Sequence, residues 1–306
     1  MNLEQTLADI AGEIDLHAAT IEDAADAKEA DATPGPFGIA VATCDGEVVT
    51  AGAADRFPIQ SIAKVFAVDL ALRALEDRVF ERVGREPSGD PFNSLVDLER
   101  TDGVPRNPFI NAGALVVVDM LVQHHGSAAR DVIVDLIRKE NGGEVRLDDD
   151  VLNEGGDLNR AMLSFMRHHG NVRSSNDSIM DAYARQCAIS LDVAGLARAG
   201  RFLVPTRLCP DDPLEDCRAR QTRTVLALMM TCGHYDASGD FAVRVGLPAK
   251  SGVGGGILAI APQRASIAAW SSNLDQHGNS ILGVRALEML VARTGWSVFG
   301  PPLGCD

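Results

Sequence analysis

Arg56-Phe57-Pro58-Ile59-Gln60-Ser61-Ile62-Ala63-Lys64-Val65-Phe66-Ala67-Val68-Asp69-Leu70-Ala71-Leu72 is where a strand-rich beginning of the chain passes into a long helical middle, and its reading decides the fold. Pro58 stands where a first helical turn tolerates a missing N–H. Apolar residues then recur at Ile59, Ile62, Ala63, Phe66 and Leu70, a helical period on a face that must pack inward. The stretch predicts the start and body of a buried helix. Just before it, Phe37 to Thr43 has strand composition, Asp45-Gly46 signals a tight hairpin, and Val48 to Ala51 returns. A β-hairpin therefore leads into the helix.

Further out, residues 1 to about 30 read as a helix carrying Leu3, Leu7, Ile10, Ile14 and Leu16. An Ala- and Asp-rich surface stretch to Ala32 follows, and Pro34-Gly35-Pro36 ends it. From Leu70 to about Tyr235 the patterns are nearly all helical: Leu115 to Gln123, Ala128 to Lys139, Leu158 to Arg167, Ser178 to Ala188, Val193 to Arg201 and Thr222 to Met230. After Ser238-Gly239-Asp240, the runs Phe241 to Val245, Gly256 to Ala261 and Ser266 to Ser271 read as successive strands, and Ser280 to Ala292 as a closing helix. Strands at both ends with helices between imply an α/β chain of the α+β kind. Its antiparallel sheet is built from both chain ends (about 30–66 and 238–300), flanked by helices, with an inserted helical subdomain (about 70–235) in one domain spanning 1–306. The cleft between sheet and helical part is the expected pocket.

With 306 residues, 46% hydrophobic and 23% charged, the chain is an ordinary globular one. A formal charge of -15 argues against nucleic acid and against an anionic membrane surface, both of which need basic residues. No basic segment followed by an apolar run marks a secretory signal, and no stretch approaches the ~18 apolar residues of a membrane span. Cys44, Cys187, Cys209, Cys217, Cys232 and Cys305 are scattered without a Cys-x-x-Cys pair, as reduced thiols in a cytoplasm would be.

Ser61 and Lys64 interrupt the apolar pattern of the opening stretch at a separation of three, so their side chains share a helical face. A serine hydroxyl needs a base, and a lysine kept neutral by an apolar surround can be that base: this is the Ser-x-x-Lys arrangement of serine acyl-transfer enzymes. Such a spacing also arises by chance about once in a chain this long. A second stretch, Gly246 to Ile257, contains Lys250-Ser251-Gly252, the form of the Lys-Thr/Ser-Gly element that accompanies Ser-x-x-Lys in penicillin-recognising enzymes. Its glycines let a backbone approach a ligand and offer N–H groups to an oxyanion; an ordinary Gly-rich turn is the plain alternative. Ala249 breaks a Walker pattern and Ile257 breaks Gly-x-Gly-x-x-Gly.

Other candidates carry ordinary alternatives. Asn111, in the loop Pro105 to Ala114, suits a binding group or a helix N-cap. Tyr235 suits a proton relay or a buried structural tyrosine. Asp148-Asp149-Asp150 with Glu154 fails EF-hand spacing at Val151 and Leu152. The adjacent pairs His124-His125 and His168-His169 do not share a helical face as metal ligands do, and read as solvated helix ends.

Taken together, Phe57 to Phe66, Glu86 to Ser94, Pro105 to Ala114, Tyr183 with Gln186-Cys187, Thr231 to Gly239, and Gly246 to Ile257 with Gly278-Asn279-Ser280 resemble the serine-dependent glutaminase family over about Phe37 to Gly283. The resemblance implies a β-lactamase-like fold and hydrolysis of L-glutamine to L-glutamate and ammonia. In that reading Ser61 is the nucleophile, Lys64 its base, Tyr235 a proton relay, and the N–H groups of Ser61 and Val253 an oxyanion hole. Asn111, Glu154, Asn159 and Tyr183 would hold the amino-acid end of the substrate. It further implies no metal or organic cofactor, a cytoplasmic setting and a homodimer or homotetramer. The chain departs from the family where an Ala-Asp-Tyr-Ile-Pro segment is usual, for which Ile14 to Ala19 with His17 stands in; where Arg-Asn is usual, here Leu158-Asn159; and in a Glu154 to Asn159 spacing about two residues short. A β-lactam or D-alanyl peptide hydrolase, an amide hydrolase of altered specificity and a non-catalytic glutamine binder are the competing readings.

Overall fold

The computed structural model describes residues 2–25, 27–28, 33–89, 93–204 and 213–300 of the 306. Ala32, Asp90, Pro91, Phe92, Cys209 and Cys305 lie outside the described residues. In chain order the first elements are α1 (Leu3–Asp23), β1 (Phe37–Thr43), β2 (Val48–Gly52), β3 (Phe57–Pro58), α2 (Ala63–Leu75), α3 (Val96–Arg100) and α4 (Asn111–His125). Then come α5 (Val132–Asn141), β4 (Arg146–Leu147), α6 (Asp149–Leu152), α7 (Asp157–His168), α8 (Asn176–Cys187), β5 (Ile189–Leu191) and α9 (Val193–Ala199). The last are α10 (Pro213–Cys232), α11 (Ser238–Arg244), β6 (Ala249–Ser251), β7 (Gly256–Ala261), β8 (Ala265–Ser271) and α12 (Ile281–Thr294).

Five strands form an antiparallel sheet in the order β2-β1-β8-β7-β6, so both chain ends do supply it. Side chains alternate across it with the two-residue period of a strand. Ile39, Val41, Ile257, Ala259, Ile267 and Ala269 pack under α1 and α12, while Ala40, Ala42, Leu258, Ile260, Ala268 and Trp270 pack under the helical middle. Within that middle, α2 is buried from Ala63 to Asp69 and α4 from Ala112 to Leu121 without a break. Helices apolar on every side belong in a core rather than at its edge.

Three expectations are corrected, and the acidic run Asp148–Asp150 gains a structural account. The run Phe241 to Val245 is not a strand: Phe241 and Val245 are buried while Val243 is 87% exposed, a four-residue period that puts most of the run in α11. Pro58 is not in a first helical turn. It pairs with Ser190 as half of β3, at the edge of a three-stranded sheet β3-β5-β4 whose strands of two or three residues carry no pattern of their own. Leu16 lies off the buried stripe of Leu7, Ile10, Ala11 and Ile14 and is 76% exposed. Asp148 is the N-cap of α6, accepting from the Val151 N–H at 3.0 Å.

Candidate active site

Ser61 lies in a single helical turn, Gln60–Ile62, just before α2. The turn is pinned on its upstream side: Phe57 pairs with Leu191, and the Ile59 N–H donates to the Ile189 carbonyl at 2.7 Å. Gln60 is in the left-handed region with φ 48°, a conformation that costs a non-glycine residue about 1 kcal/mol and persists only where its surroundings fix it. Ser61 is buried, and so is Lys64 one turn later, fully so.

Lys64 Nζ donates to Asn111 Oδ1 at 2.7 Å and to the Phe109 carbonyl at 3.2 Å. Burial pulls its pKa down to about 8, with Cys187 nearby opposing part of the shift. Both acceptors are held in place by Asn107, whose Oδ1 accepts the Phe109 and Ile110 N–H groups at 2.9 and 3.1 Å and whose amide donates to the Glu86 carbonyl. Asn107, then, bonds the orphan N–H groups at the entry to α4, while Ile110 is the N-cap and Asn111 is the first helical residue. The cap reading of Asn111 fails, because its amide turns toward Lys64.

The second wall comes from the turn after β6. Gly252 and Gly254 lie so close to the Ser61 segment that a Cβ on them would sit 2.7 Å from the Ile59 carbonyl oxygen and 2.2 Å from that of Pro58. Only glycine permits this approach. Trp270 of β8 ties both walls together: its indole stacks on Phe57 at 5.4 Å and donates to the Gly254 carbonyl at 2.9 Å. Val253, at the tip of that turn, and Tyr235 flank Gly278, whose added Cβ would be 3.6 Å from Val253 Cγ1 and 3.8 Å from Tyr235 Cε2. The Tyr235 phenol hydrogen-bonds with the Ser61 hydroxyl and lies 3.4 Å from the Ser251 carbonyl. Burial pushes its pKa up to about 12, the bond to Ser61 holding it back in part.

Around Asn111 the remaining candidates gather. Tyr183, buried on α8, donates to Asn111 Oδ1 at 3.3 Å, and the Asn111 amide donates to Asn159 Oδ1 at 3.4 Å. Burial raises Tyr183 well above the usual phenol range. Glu154 is exposed, in the loop after α6, and its charge reaches Tyr183 and Cys187. The structure thus brings together Ser61, Lys64, Asn111, Asn159, Tyr183, Tyr235 and Val253, with Glu154 at their margin. His17 does not join them: it is exposed on α1, on the opposite face of the sheet, whereas Ala27 and Lys28 pair with Asp275 and Leu274.

Two further groups were not singled out by sequence reasoning. Asn107 has a local signal, an Asn before Pro ahead of a helix. Cys187 follows its hydrogen-bond partner Tyr183 by one turn of α8, but its place beside Lys64 has no local signal, since it comes from packing of helices more than a hundred residues apart; burial raises its thiol to about 11. Among the described residues no group of three or more His, Cys, Asp or Glu is placed to hold a metal ion. Nor is any helix among them long and apolar enough to cross a membrane.

A family model for glutaminase matches residues 27–299. A glutaminase of Azorhizobium caulinodans is 52% identical over 270 residues, covering 86% of this chain and 87% of that one. A glutaminase of Psychrobacter cryohalolentis is 48% identical over 274 residues, covering 87% of this chain and 89% of its own. Among solved structures, a Bacillus glutaminase superposes with a TM-score of 0.82 at 30% identity, covering 97% of this chain and 100% of that one. A probable glutaminase of Bacillus subtilis does so with 0.82 at 28% identity, covering 97% and 98%.

Proposed function

Since the chain belongs to the glutaminase family, with its β-lactamase-like fold, and hydrolyses L-glutamine to L-glutamate and ammonia, we propose that it does so through an acyl-enzyme on Ser61. The observation that carries this reading is the buried Lys64 one helical turn after Ser61, with two of its hydrogens engaged by Asn111 and Phe109. A neutral amine so placed keeps its lone pair for the serine proton. Membership decides for glutamine over a β-lactam, and for turnover over binding alone.

Ser61 Oγ attacks the side-chain amide carbon as its proton passes to Lys64, and the carbonyl oxygen becomes an oxyanion bonded by the N–H groups of Ser61 and Val253. Removing one such donor typically costs about 3 kcal/mol of barrier. The C–N bond then breaks, and the proton travels from Lys64 through the Tyr235 phenol to the leaving nitrogen, which departs as ammonia. Water attacks the ester as its proton passes to Lys64, the C–O bond to Ser61 breaks as Lys64 returns that proton to Ser61 Oγ, and L-glutamate leaves. Asn111, Asn159 and Tyr183 hold the α-carboxylate and backbone end, and Glu154 is the counterion of the α-ammonium. The free thiols at Cys44, Cys187, Cys217 and Cys232 support a cytoplasmic setting. A homodimer or homotetramer is the expected assembly, to be read by light scattering.

Quenching a reaction with glutamine in acid should leave Ser61 carrying a glutamyl ester by peptide mass spectrometry, and Ser61→Ala should release no ammonia. Full turnover by Ser61→Ala would end the acyl-enzyme reading.

A further inference from the structure

A second lysine is as deeply buried as Lys64 and has no part in the reaction described above. Lys250 is the middle residue of β6 and is 0% exposed. Its Nζ donates to the Gly233 carbonyl at 3.0 Å and to the Ser251 carbonyl at 2.6 Å, and lies 4.4 Å from the centroid of the Tyr235 ring. Carbonyl oxygens and a ring face can only accept, so these three contacts match the three N–H bonds of an ammonium and offer nothing to an amine lone pair. Tyr235 itself needs holding: its backbone is in the left-handed region at φ 53°, in a single turn (Tyr235–Ala237).

We propose that Lys250 is a positioning residue: its ammonium ties β6 to the Gly233–Tyr235 turn, clamps the ring whose hydroxyl meets Ser61, and sets a fixed positive charge within reach of Lys64. The inference rests on the acyl-enzyme reading for its kinetic consequence, but not for the clamp itself. The titratable groups that face Lys250 are Lys64 from α2, Cys232 from the end of α10, and His234 and Tyr235 from the turn. Burial keeps Cys232 as a thiol and His234 as neutral imidazole by moving the first up and the second down. Burial also draws Lys250 well below the usual lysine range, with Lys64 adding to the pull, while the two carbonyls and the ring favour retention of its proton. In the proposed clamp the two carbonyls and the ring hold the Lys250 proton against that pull, and Lys64, beside Ser61, is the lysine that gives way. A positive neighbour disfavours a second, so a charge kept on Lys250 would add to the burial that already draws Lys64 down.

The test is Lys250→Met, which keeps the length and removes the charge. The expected result is kcat lower by about tenfold or more with KM within about twofold, since the ring is mispositioned while the substrate contacts remain. The acid limb of kcat/KM should also move to higher pH, because Lys64 then holds its proton more tightly. Unchanged kcat with an unmoved acid limb overturns the proposal. If the variant shows no cooperative melting, the wild type decides. The chain has only four lysines, Lys28, Lys64, Lys139 and Lys250, so lysine labelled with carbon-13 at Cε gives four signals, with Lys64→Met assigning one. A Lys250 signal that stays at the ammonium position while Lys64 titrates supports the clamp. Loss of the Lys250 proton before that of Lys64 overturns it. Turnover by Ser61→Ala defeats the acyl-enzyme reading instead, and the lysine titration still settles the clamp.

Discussion

On one face of the five-stranded sheet, α1 and α12 set Leu7, Ile10, Ile14, Leu287 and Leu290 against Ile39, Val41, Ile257 and Ala259. Charged pairs there stay toward the rim, Glu13 with Arg293 and Arg244 and Arg285 with Glu288. On the other face the same strands meet the helical middle, and Lys64, Asp69, Asp119 and Lys250 are all buried on that side. Apolar burial contributes about 25 cal/mol per Å². Each buried ion, by contrast, costs several kcal/mol unless it is paired or loses its charge. The first face is mainly apolar packing, with the buried Glu22 at the end of α1 accepting from the Asn273 amide at 2.7 Å. The second carries groups that only chemistry or a specific knot of hydrogen bonds justifies, and it is there that Ser61 lies.

The largest effect should come from removing the chemistry and leaving the packing. Lys64→Met replaces the base with an apolar side chain of similar length, so kcat should fall roughly 10³ to 10⁴-fold, measured as ammonia release. In the wild type, activity should rise with pH through about 8, as Lys64 loses its proton. The sign for stability follows from the same depression. Between about 8 and the ordinary lysine value of 10.5 the unfolded chain holds a proton that the folded chain has lost, so folding stability rises with pH across that window. That slope should vanish in Lys64→Met. An unaltered pH profile in the variant would erase the distinction between the two faces.

Asp119 sharpens the contrast from the structural side. It is fully buried, pairs with Arg82, and accepts from the Ser174 N–H at 2.7 Å and from the Gln123 amide at 2.6 Å. Asp119→Asn leaves Arg82 without its charge partner, and should cost about 3 to 5 kcal/mol by urea unfolding. A cost below about 1 kcal/mol would mean that water reaches this knot.

How much of this was legible follows the range over which each feature is determined. Ser61 and Lys64 could be read because their relation is local, one turn apart where a short turn runs into α2, and Phe37–Thr43 because a strand ended by Asp45-Gly46 is marked within ten residues. Asn159, Tyr183 and Val253 carry no local signature and came only through the family resemblance. The partnership of Lys64 with Asn111 joins α2 to α4 across 47 positions, which no periodicity encodes. Phe241 to Val245 misled because Phe, Val and Val suit either period, and only the neighbours show that Val243 faces water. His17 misled because a family segment was matched by order rather than by place; the chain reaches Leu274 at Ala27-Lys28 instead.

On the apolar face the expectation is stability without catalysis. Leu290 is fully buried on the sheet-facing side of α12, so Leu290→Ala should cost about 2 to 5 kcal/mol. The kcat of the folded variant should nonetheless stay within about twofold, because the whole sheet stands between Leu290 and Ser61. A large fall in kcat at a temperature where the variant is folded would show that the two faces are coupled.

The smallest effect tests whether burial, and not the mere presence of an ion pair, separates the faces. Glu13 and Arg293 join α1 to α12 with side chains 52% and 30% exposed, the same chemistry as Asp119 with Arg82 at 0% and 12%. Water screens the exposed pair, and ordering two long side chains offsets much of what attraction remains. Glu13→Gln should therefore cost less than about 1 kcal/mol, shrinking further in 1 M salt, where the screening length is about 3 Å. Asp119→Asn should keep most of its cost under the same salt. Equal costs for the two substitutions, or equal loss in salt, would remove burial as the variable that tells one side of the sheet from the other.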